Sequence, residues 1–425
     1  MPFVVPGRPG RLDGSMAGRP MLKRALWTLA ALGLAYVLCI LALMVPTVQR
    51  NAIYAHKVNP ALWQNLLNVE QFGFLHHQVQ PFTVLTPDNV TLFAWHVLPV
   101  HLYRQHERAL KAQADFGLKS YDQAVKTVGL RILLNDPNAI VVVSLHGNAA
   151  HLASSYRPPT YQQYLGLSTP EKPVHVIAFD YRGFGVSTGS PTEDGVVQDV
   201  VSLLSAMTGN VAVDPLFAGA PPASLDGRLS PQSVAPSRII ITGQSMGTFI
   251  STALYHEWVL RLRRPAFRGL VLFASFTSLT KLVESYSVQG ITPPLLSPLS
   301  IYPPAQRWLL SKIVDQWETS RRLVELAQSA DVDLDLTIMH AEDDWDIPWQ
   351  EGRRNWNAVA NAVRIPDVSM MTTSNESRSL DRDEWISKDG KKRLRWERVK
   401  YGGHNRIPTS EQAKLALLRL IEGTA

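Results

Sequence analysis

The clearest chemical signal in the sequence is a serine between two glycines, in the segment 243–247, which reads Gly-Gln-Ser-Met-Gly. Three isoleucines stand shortly before this segment and a stretch of helical character, residues 248–262, follows it, so the pattern predicts a strand, a tight turn and a helix. At such a turn the serine adopts a strained backbone, and Gly243 and Gly247 allow the strand and the helix to approach closely. A chance Gly-x-Ser-x-Gly in a loop would not be expected directly after an apolar strand. We therefore predict that Ser245 is a nucleophile.

A serine hydroxyl is a weak nucleophile and needs a base, which after such a turn is a histidine that follows an acidic residue in the chain. Of the twelve histidines, only His256, His340 and His404 lie beyond Ser245. His256 falls within the predicted helix, and His340 ends a predicted strand directly before a group of carboxylates. His404 alone has acidic residues before it and a strand leading into it, and two glycines make its turn flexible. We predict that His404 is the general base.

The acid that orients this histidine is expected in the loop after the predicted strand Leu334–Met339. Four carboxylates compete there, those of Glu342, Asp343, Asp344 and Asp346. The acid must be buried and directed toward the imidazole, whereas the others can be solvated. Spacing alone does not choose between the three aspartates.

Two further stretches close predicted buried strands and are expected near the serine. In residues 144–149, a backbone N–H, assigned to Asn148, is expected to form an oxyanion hole with that of Met246, while His146 is interpreted as a packing residue. Residues 180–185 share two glycines with a dinucleotide-binding loop but do not match that motif, because its third glycine would fall at Thr188. The chain has no His-Glu-x-x-His motif and a single cysteine, so we expect no cofactor and no metal.

The elements that must position these residues read as strands alternating with helices, which is typical of a mostly parallel central sheet flanked by helices. Two earlier runs, Phe72–Gln80 and Val90–Leu98, predict a strand meander around a turn at residues 86–89. The later predicted strands are Ala139–Leu145, Val174–Phe179, Arg238–Thr242, Leu270–Ala274, Leu334–Met339 and Arg395–Tyr401. Insertions are expected near residues 101–136, 209–236 and 366–391, with a short cap in 276–333.

The N-terminal part of the sequence predicts a membrane anchor. Residues 25–49 carry no charge and are rich in Leu, Ala and Val, and about 20 apolar residues suffice to cross a bilayer. A cleaved signal peptide would have a shorter apolar stretch, and a mitochondrial transit peptide would be amphipathic. Five cations in the tail 1–24 precede the stretch, so the positive-inside rule predicts a cytosolic tail and a body, residues 50–425, on the other side.

Composition fits a packed globular body, with 45% hydrophobic and 18% charged residues. The net charge is +6, and the N-terminal tail contributes most of it. The remaining chain is therefore close to neutral, and no nucleic-acid partner is expected.

Together these motifs resemble the α/β-hydrolase superfamily, and within it the membrane-anchored serine lipases that include the monoacylglycerol and lysophosphatidylserine lipases of the endoplasmic reticulum. The resemblance covers roughly residues 72–420. The segments on which it rests, in the same order along the chain, are 146–149, 180–187, 191–193, 243–247, 340–344 and 403–404. The chain departs from its relatives in its long insertions and at residues 149–151, where relatives often have glycine and asparagine.

The resemblance implies an α/β-hydrolase fold, and it points to Asp344 as the acid, because relatives place it four residues before a proline, here Pro348. It implies a single-pass serine hydrolase, with its body in the lumen of the endoplasmic reticulum, that cleaves monoacylglycerol-type or lysophospholipid-type esters through an acyl-enzyme. Alternatives are an acyl-protein thioesterase, a peptidase or, from another class, a catalytically silent hydrolase-fold scaffold at the membrane. A mitochondrial membrane is the alternative location.

Overall fold

The structure is a computed structural model, and it describes residues 18–58, 63–113, 117–209, 233–285, 296–364 and 380–423. It divides into two compact units, Met1–Ala52 and Ile53–Ala425. In the first unit, helix α1 spans Gly18–Leu43 and is followed by α2, Pro46–Tyr54, which continues into the second unit. Within α1, Met21–Leu43 has a mean hydropathy of 2.3 and is long and apolar enough to cross a membrane.

Helix α1 begins and ends earlier than the predicted anchor, residues 25–49. It ends at Leu43, and a turn separates it from Pro46, the first residue of α2. A proline inside a helix has no N–H for the helical hydrogen bond and disfavours helical geometry in the residue before it. The break therefore follows from Pro46, which an estimate based on apolar composition alone does not detect.

The second unit is built on a mixed sheet whose described strands follow the order β3-β1-β2-β5-β4-β6-β7-β8-β10-β9. In chain order these strands are β1 Val79–Leu85, β2 Thr91–Val97, β3 Lys119–Ser120, β4 Ile140–Leu145, β5 Val174–Asp180, β6 Ile239–Gln244, β7 Gly269–Phe273, β8 Leu334–Ala341, β9 Leu380–Ile386 and β10 Lys392–Val399. Neighbours from β5 through β4, β6, β7 and β8 to β10 are parallel, and the β1–β2, β2–β5 and β10–β9 pairs are antiparallel. The predicted mostly parallel sheet is confirmed.

Helices cover both faces of this sheet. One cluster contains the helix residues Tyr161 and Leu417 and strand residues such as Val142 and Ile240. Val143, which follows Val142 in β4, is equally inaccessible to solvent. Since successive residues of a strand point to opposite faces, both faces are buried. The helices are α3 Val100–Ala112, α4 Tyr121–Ala124, α5 Val128–Asn135, α6 Arg157–Leu165, α7 Glu193–Thr208, α8 Met246–His256, α9 Leu279–Ser285, α10 Pro303–Leu310, α11 Thr319–Gln328, α12 Trp349–Ala362, α13 Gly403–Arg406 and α14 Glu411–Glu422.

The six later predicted strands all exist, but two other expectations need correction. The first strand of the meander is β1, Val79–Leu85, rather than Phe72–Gln80, because a short 3-10 helix ends at Gly73 with φ 84° and the chain only then turns into the sheet. The region 366–391, expected to be an insertion, contains β9, which pairs with β10. The sequence pattern did not predict this strand because it is rich in charged residues. In the structure, the carboxylates of Asp383 and Glu384 are paired with arginines.

The remaining insertions are only partly described. The described part of residues 101–136 contains β3, α4, α5 and nearly all of α3, whereas residues 114–116, 210–232 and 365–379 lie outside the described residues. In the predicted cap, residues 276–333, the described helices are α9, α10 and α11. Leu323 and Leu326 of α11 are fully buried, so this part of the cap segment belongs to the packed body.

Candidate active site

Ser245 occupies the sharp turn between β6 and α8. Its backbone angles are φ 54° and ψ −121°, a conformation that residues other than glycine rarely adopt. The Ser245 N–H donates to the carbonyl of Phe273 at 3.0 Å, and the Ser245 carbonyl accepts the N–H of Thr248 at 2.9 Å. The turn is thus bonded on both sides to neighbouring elements.

The two glycines flanking the serine are required by close backbone contacts. A Cβ atom at Gly243 would lie 2.4 Å from the carbonyl oxygen of Gly247, and one at Gly247 would lie 2.1 Å from that of Leu145. Any side chain at either position would therefore push α8 away from β6 or β4. Their spacing in the sequence follows from this contact.

His404 is the second residue of α13, and the two glycines before it have positive φ, Gly402 at 148° and Gly403, the first residue of the helix, at 55°. Its Nδ1 atom is 2.8 Å from Oδ2 of Asp344. The Gln244 side chain donates to the carbonyl of His404 at 2.8 Å, which connects the histidine loop to the residue before Ser245. Serine, histidine and acid are therefore brought to one edge of the sheet. In the described part of the chain, Ser245 Oγ makes no hydrogen bond to a protein group.

The structure separates the three aspartates that spacing left open. The Asp344 side chain is fully buried, and its Oδ1 atom accepts the backbone N–H groups of Asp346 and Ile347 at 3.0 and 2.8 Å. Asp343 is half-buried and accepts the N–H of Gly403 at 2.7 Å, so it binds the histidine loop without touching the imidazole. Of the three, only Asp344 is hydrogen-bonded to His404.

His340 lies behind the acid, a placement that the sequence did not reveal. Its Nε2 atom is 3.3 Å from Oδ2 of Asp344 and 2.9 Å from the carbonyl oxygen of Ile347. Both neighbours are acceptors, so we assign the proton of the ring to Nε2. His256, the third histidine beyond the serine, is bound instead to Glu325, 2.5 Å from its Nε2.

The pKa values of Asp344 and His404 move in opposite directions. Burial alone would raise the pKa of Asp344, but the hydrogen bonds and charges of His340 and His404 hold it well below its ordinary value. Burial alone would lower the pKa of His404, but the hydrogen bond and charge of Asp344, helped by the charge of Asp346, raise it. The pair therefore favours a carboxylate beside an imidazolium.

The segment after β4 lies directly beside the serine. A Cβ atom at Gly147 would be 3.3 Å from Cβ and 3.8 Å from Oγ of Ser245. Met246 supplies the first N–H of α8, which has no partner inside the helix. His146 is buried, as expected for a packing residue, with Nδ1 2.7 Å from the carbonyl of Gly147.

Arg182, in the segment after β5, links this segment to two other parts of the fold. Arg182 donates to Asp199, which is completely buried, and to Asp88 in the turn between β1 and β2. Within the described residues, no group of three or more His, Cys, Asp or Glu side chains could hold a metal ion.

Comparison with known proteins agrees with this arrangement. A model of the alpha/beta hydrolase family matches residues 141–417, a region that includes Ser245, Asp344 and His404. Lysophosphatidylserine lipase ABHD12 of Xenopus tropicalis is 25% identical over 342 residues, which cover 80% of this chain and 72% of that protein. The same enzyme of Danio rerio is 23% identical over 337 residues, covering 79% and 72% respectively.

A solved structure supports the fold independently of these sequences. The crystal structure of an alpha-beta hydrolase from Vibrio vulnificus has a TM-score of 0.51 and 16% identity, and the match covers 88% of this chain and 92% of that chain. The family match, the sheet order and the strand–serine–helix turn agree with one another. The chain belongs to the alpha/beta hydrolase family.

Proposed function

We propose that this protein is a membrane-anchored serine hydrolase that cleaves carboxylic esters of lipids, of the monoacylglycerol or lysophospholipid type, through an acyl-enzyme. The observation on which this mainly rests is Ser245 on its strained turn, together with the hydrogen-bonded pair of Asp344 and His404, whose backbone is bonded to Gln244 next to the serine. The similarity to relatives named lysophosphatidylserine lipase favours a lysophospholipid over the thioester and peptide alternatives. A silent scaffold is disfavoured because none of the three residues is missing.

In the first half of the proposed reaction, Ser245 Oγ attacks the ester carbonyl carbon while Nε2 of His404 takes the serine proton. The carbonyl oxygen becomes an oxyanion that the N–H groups of Asn148 and Met246 stabilise. His404 then gives the proton to the leaving alcohol oxygen as the ester bond breaks. Asp344 stays ionised and stabilises the imidazolium that forms in between.

In the second half, His404 takes a proton from water, and the resulting oxygen nucleophile attacks the acyl carbon. Collapse of the second tetrahedral intermediate breaks the bond to Ser245 Oγ, which regains its proton from His404. The products are a fatty acid and the free serine, so no cofactor is needed for the atoms to balance.

Exposed apolar side chains support a lipid substrate. Trp345 and Tyr401 are 72% and 70% exposed, and they stand in the loops that hold Asp344 and His404. Trp308 of α10 is also exposed. Aromatic side chains are suited to the boundary between water and an apolar phase.

We further propose that α1 spans the membrane of the endoplasmic reticulum with the N-terminal tail in the cytosol and the body in the lumen. Support comes from the length and hydropathy of Met21–Leu43 and from the cations that precede it. The alternative is a mitochondrial membrane.

Covalent labelling tests the nucleophile. A fluorophosphonate probe should label the wild-type protein in its membrane fraction and should not label Ser245→Ala. Ser251→Ala is the matched control, because Ser251 is buried in α8, the helix that follows Ser245, and its hydroxyl donates to the carbonyl of Thr248. Equal labelling of wild type and Ser245→Ala would contradict the proposal, and absence of wild-type labelling would favour the scaffold. Hydrolysis of lysophospholipids, monoacylglycerols, acyl thioesters and peptides then separates the substrate classes.

Substitutions in the acidic loop test the assignment of Asp344. Asp344→Asn should lower kcat by about 10⁴-fold, because the amide leaves His404 in the wrong tautomer. Asp343→Asn and Asp346→Asn should have mild effects, since an asparagine oxygen at residue 343 can still accept the N–H of Gly403. An inactive Asp343→Asn together with an active Asp344→Asn would show that the assignment is wrong. Steady-state kinetics of the three purified variants decide.

The pH dependence of kcat/KM tests the electrostatic role of Asp346. His404 must be neutral to accept the serine proton, so activity falls as pH decreases through its pKa. The charge of Asp346 raises that pKa, so Asp346→Asn should lower it and move the acidic limb of the profile to lower pH. Glu342→Gln removes an exposed charge of the same loop and should leave the limb in place. A limb that stays fixed, or moves upward, in Asp346→Asn would contradict this role.

Glycosylation tests the orientation of the body. The sequence has two N-glycosylation sequons, Asn89-Val90-Thr91 and Asn375-Glu376-Ser377. Asn89 lies in the exposed turn between β1 and β2, whereas Asn375 lies outside the described residues. In a lumenal body, endoglycosidase should increase the gel mobility of protein made in a eukaryotic host, and Asn89→Gln combined with Asn375→Gln should abolish the change. An unchanged wild-type band, together with protease access in sealed microsomes, would instead place the body in the cytosol.

A further inference from the structure

Arg157, the first residue of α6, donates hydrogen bonds to backbone carbonyl groups of the loop that follows β4. Its Nη2 atom lies 3.2, 3.0 and 3.1 Å from the carbonyl oxygens of Gly147, Asn148 and Ala149. Its Nη1 atom donates to the carbonyl of His151 at 2.5 Å. We propose that Arg157 is a positioning residue that aims the N–H of Asn148 at the reacting carbonyl oxygen. This inference rests on the serine hydrolase function proposed above.

The argument depends on the planarity of the peptide bond. In a trans peptide the C=O and N–H bonds point in opposite directions, and the described chain contains no cis peptide. Each carbonyl that faces Arg157 therefore directs the following N–H away from it. Four peptide groups, those after residues 147, 148, 149 and 151, are oriented in this way.

In three of these four peptides the N–H has a partner in the protein. The N–H of Ala149 donates to the carbonyl of Tyr54 at 3.0 Å, and that of Ala150 donates to the carbonyl of Val58 at 2.9 Å. The N–H of Leu152 donates to Oδ1 of Asp180 at 2.6 Å. Each of these peptides is thus held on both sides.

The fourth peptide, between Gly147 and Asn148, differs from the other three. Its carbonyl accepts from Arg157 and lies 2.7 Å from Nδ1 of His146, but no described residue accepts the N–H of Asn148. Gly147 is also the residue whose Cβ position is next to Ser245. The N–H left without a protein acceptor is therefore beside the nucleophile, where an oxyanion would form.

The loop after β4 needs the hydrogen bonds of Arg157 because its backbone is strained. Ala149 and Ala150 both have positive φ, 60° and 57°, and L-residues other than glycine seldom occupy this region in succession. An arginine suits the task, since its planar group presents five donors in a fixed fork, whereas a lysine offers a single nitrogen on a flexible chain. Charge alone is therefore not expected to replace it.

Arg157→Lys tests the proposal, and Arg238→Lys is its matched control. Arg238 also donates to three carbonyls, those of Leu133, Asp136 and Ala139, but these lie at the end of β4 remote from Ser245. Losing an oxyanion-hole donor outright costs about 10²–10³ in kcat, so a misaimed one should cost about 10-fold or more. We expect that loss in Arg157→Lys with little change in KM, and a comparable loss of affinity for an alkyl boronic acid that forms a tetrahedral adduct. Both properties should remain near wild type in Arg238→Lys.

The measurements use the full-length protein in detergent, and kcat is divided by the number of sites labelled by fluorophosphonate at completion, so partial unfolding does not lower it. In Arg157→Ala, added guanidinium chloride at millimolar concentration should restore part of kcat, which it should not do in Arg238→Ala. Unchanged kcat and boronic acid affinity in Arg157→Lys, with only a lower Tm, would overturn the positioning role while leaving the proposed function intact. Absence of Ser245-dependent labelling in the wild type would overturn both.

Discussion

The close approach of β4, β6 and α8 around Ser245 is the constraint on which the rest of the site depends. The helix can begin directly after the strand only because Gly243 and Gly247 have no side chains. A Cβ atom at either position would clash with a backbone carbonyl, that of Gly247 or that of Leu145. The same contact forces Ser245 into its positive-φ conformation and places its Oγ atom outside the regular hydrogen bonding of strand and helix. A strained residue of this kind persists because the parallel strands on either side over-determine its backbone.

A second requirement is to keep a charged carboxylate buried next to an imidazole. Burying an unpaired carboxylate would be costly, so Asp344 is surrounded by two backbone N–H groups and by the rings of His340 and His404. These interactions outweigh desolvation and keep the acid ionised. The ionised carboxylate in turn raises the pKa of His404, so its imidazole binds a proton more tightly. The electrostatics of the pair thus follow from the way the loop after β8 packs between His340 of β8 and His404 of α13.

Sequence patterns predicted the parts of this arrangement that depend on local chemistry. The strand–Gly-x-Ser-x-Gly–helix segment and the parallel strands have strong apolar signals, because such strands are buried on both faces and admit few polar residues. His404 emerged because few histidines follow the serine. Strand β9 was missed because it carries charged residues, and the arginines that pair with them belong to other elements, β10 and α12. The start of β1 was misplaced because the positive φ of Gly73 has no counterpart in an apolar pattern.

Residue spacing alone left open both the choice among the aspartates, for which only the resemblance to relatives pointed to Asp344, and the role proposed for Arg157. Asp343, Asp344 and Asp346 have the same chemistry and neighbouring positions. What separates them is the path of the loop, which brings two backbone N–H groups to Oδ1 of Asp344 and leaves its Oδ2 facing His404. The sequence around Arg157, the first residue of α6, contains no motif. Its proposed role depends on the fold, in which the loop after β4 directs three carbonyl groups toward it. In both cases backbone groups make the contacts that fix the geometry, and every residue except proline offers the same backbone N–H and carbonyl. Residue types could therefore indicate which chemistry is possible, while the direction of individual peptide groups determines which residues are placed to perform it.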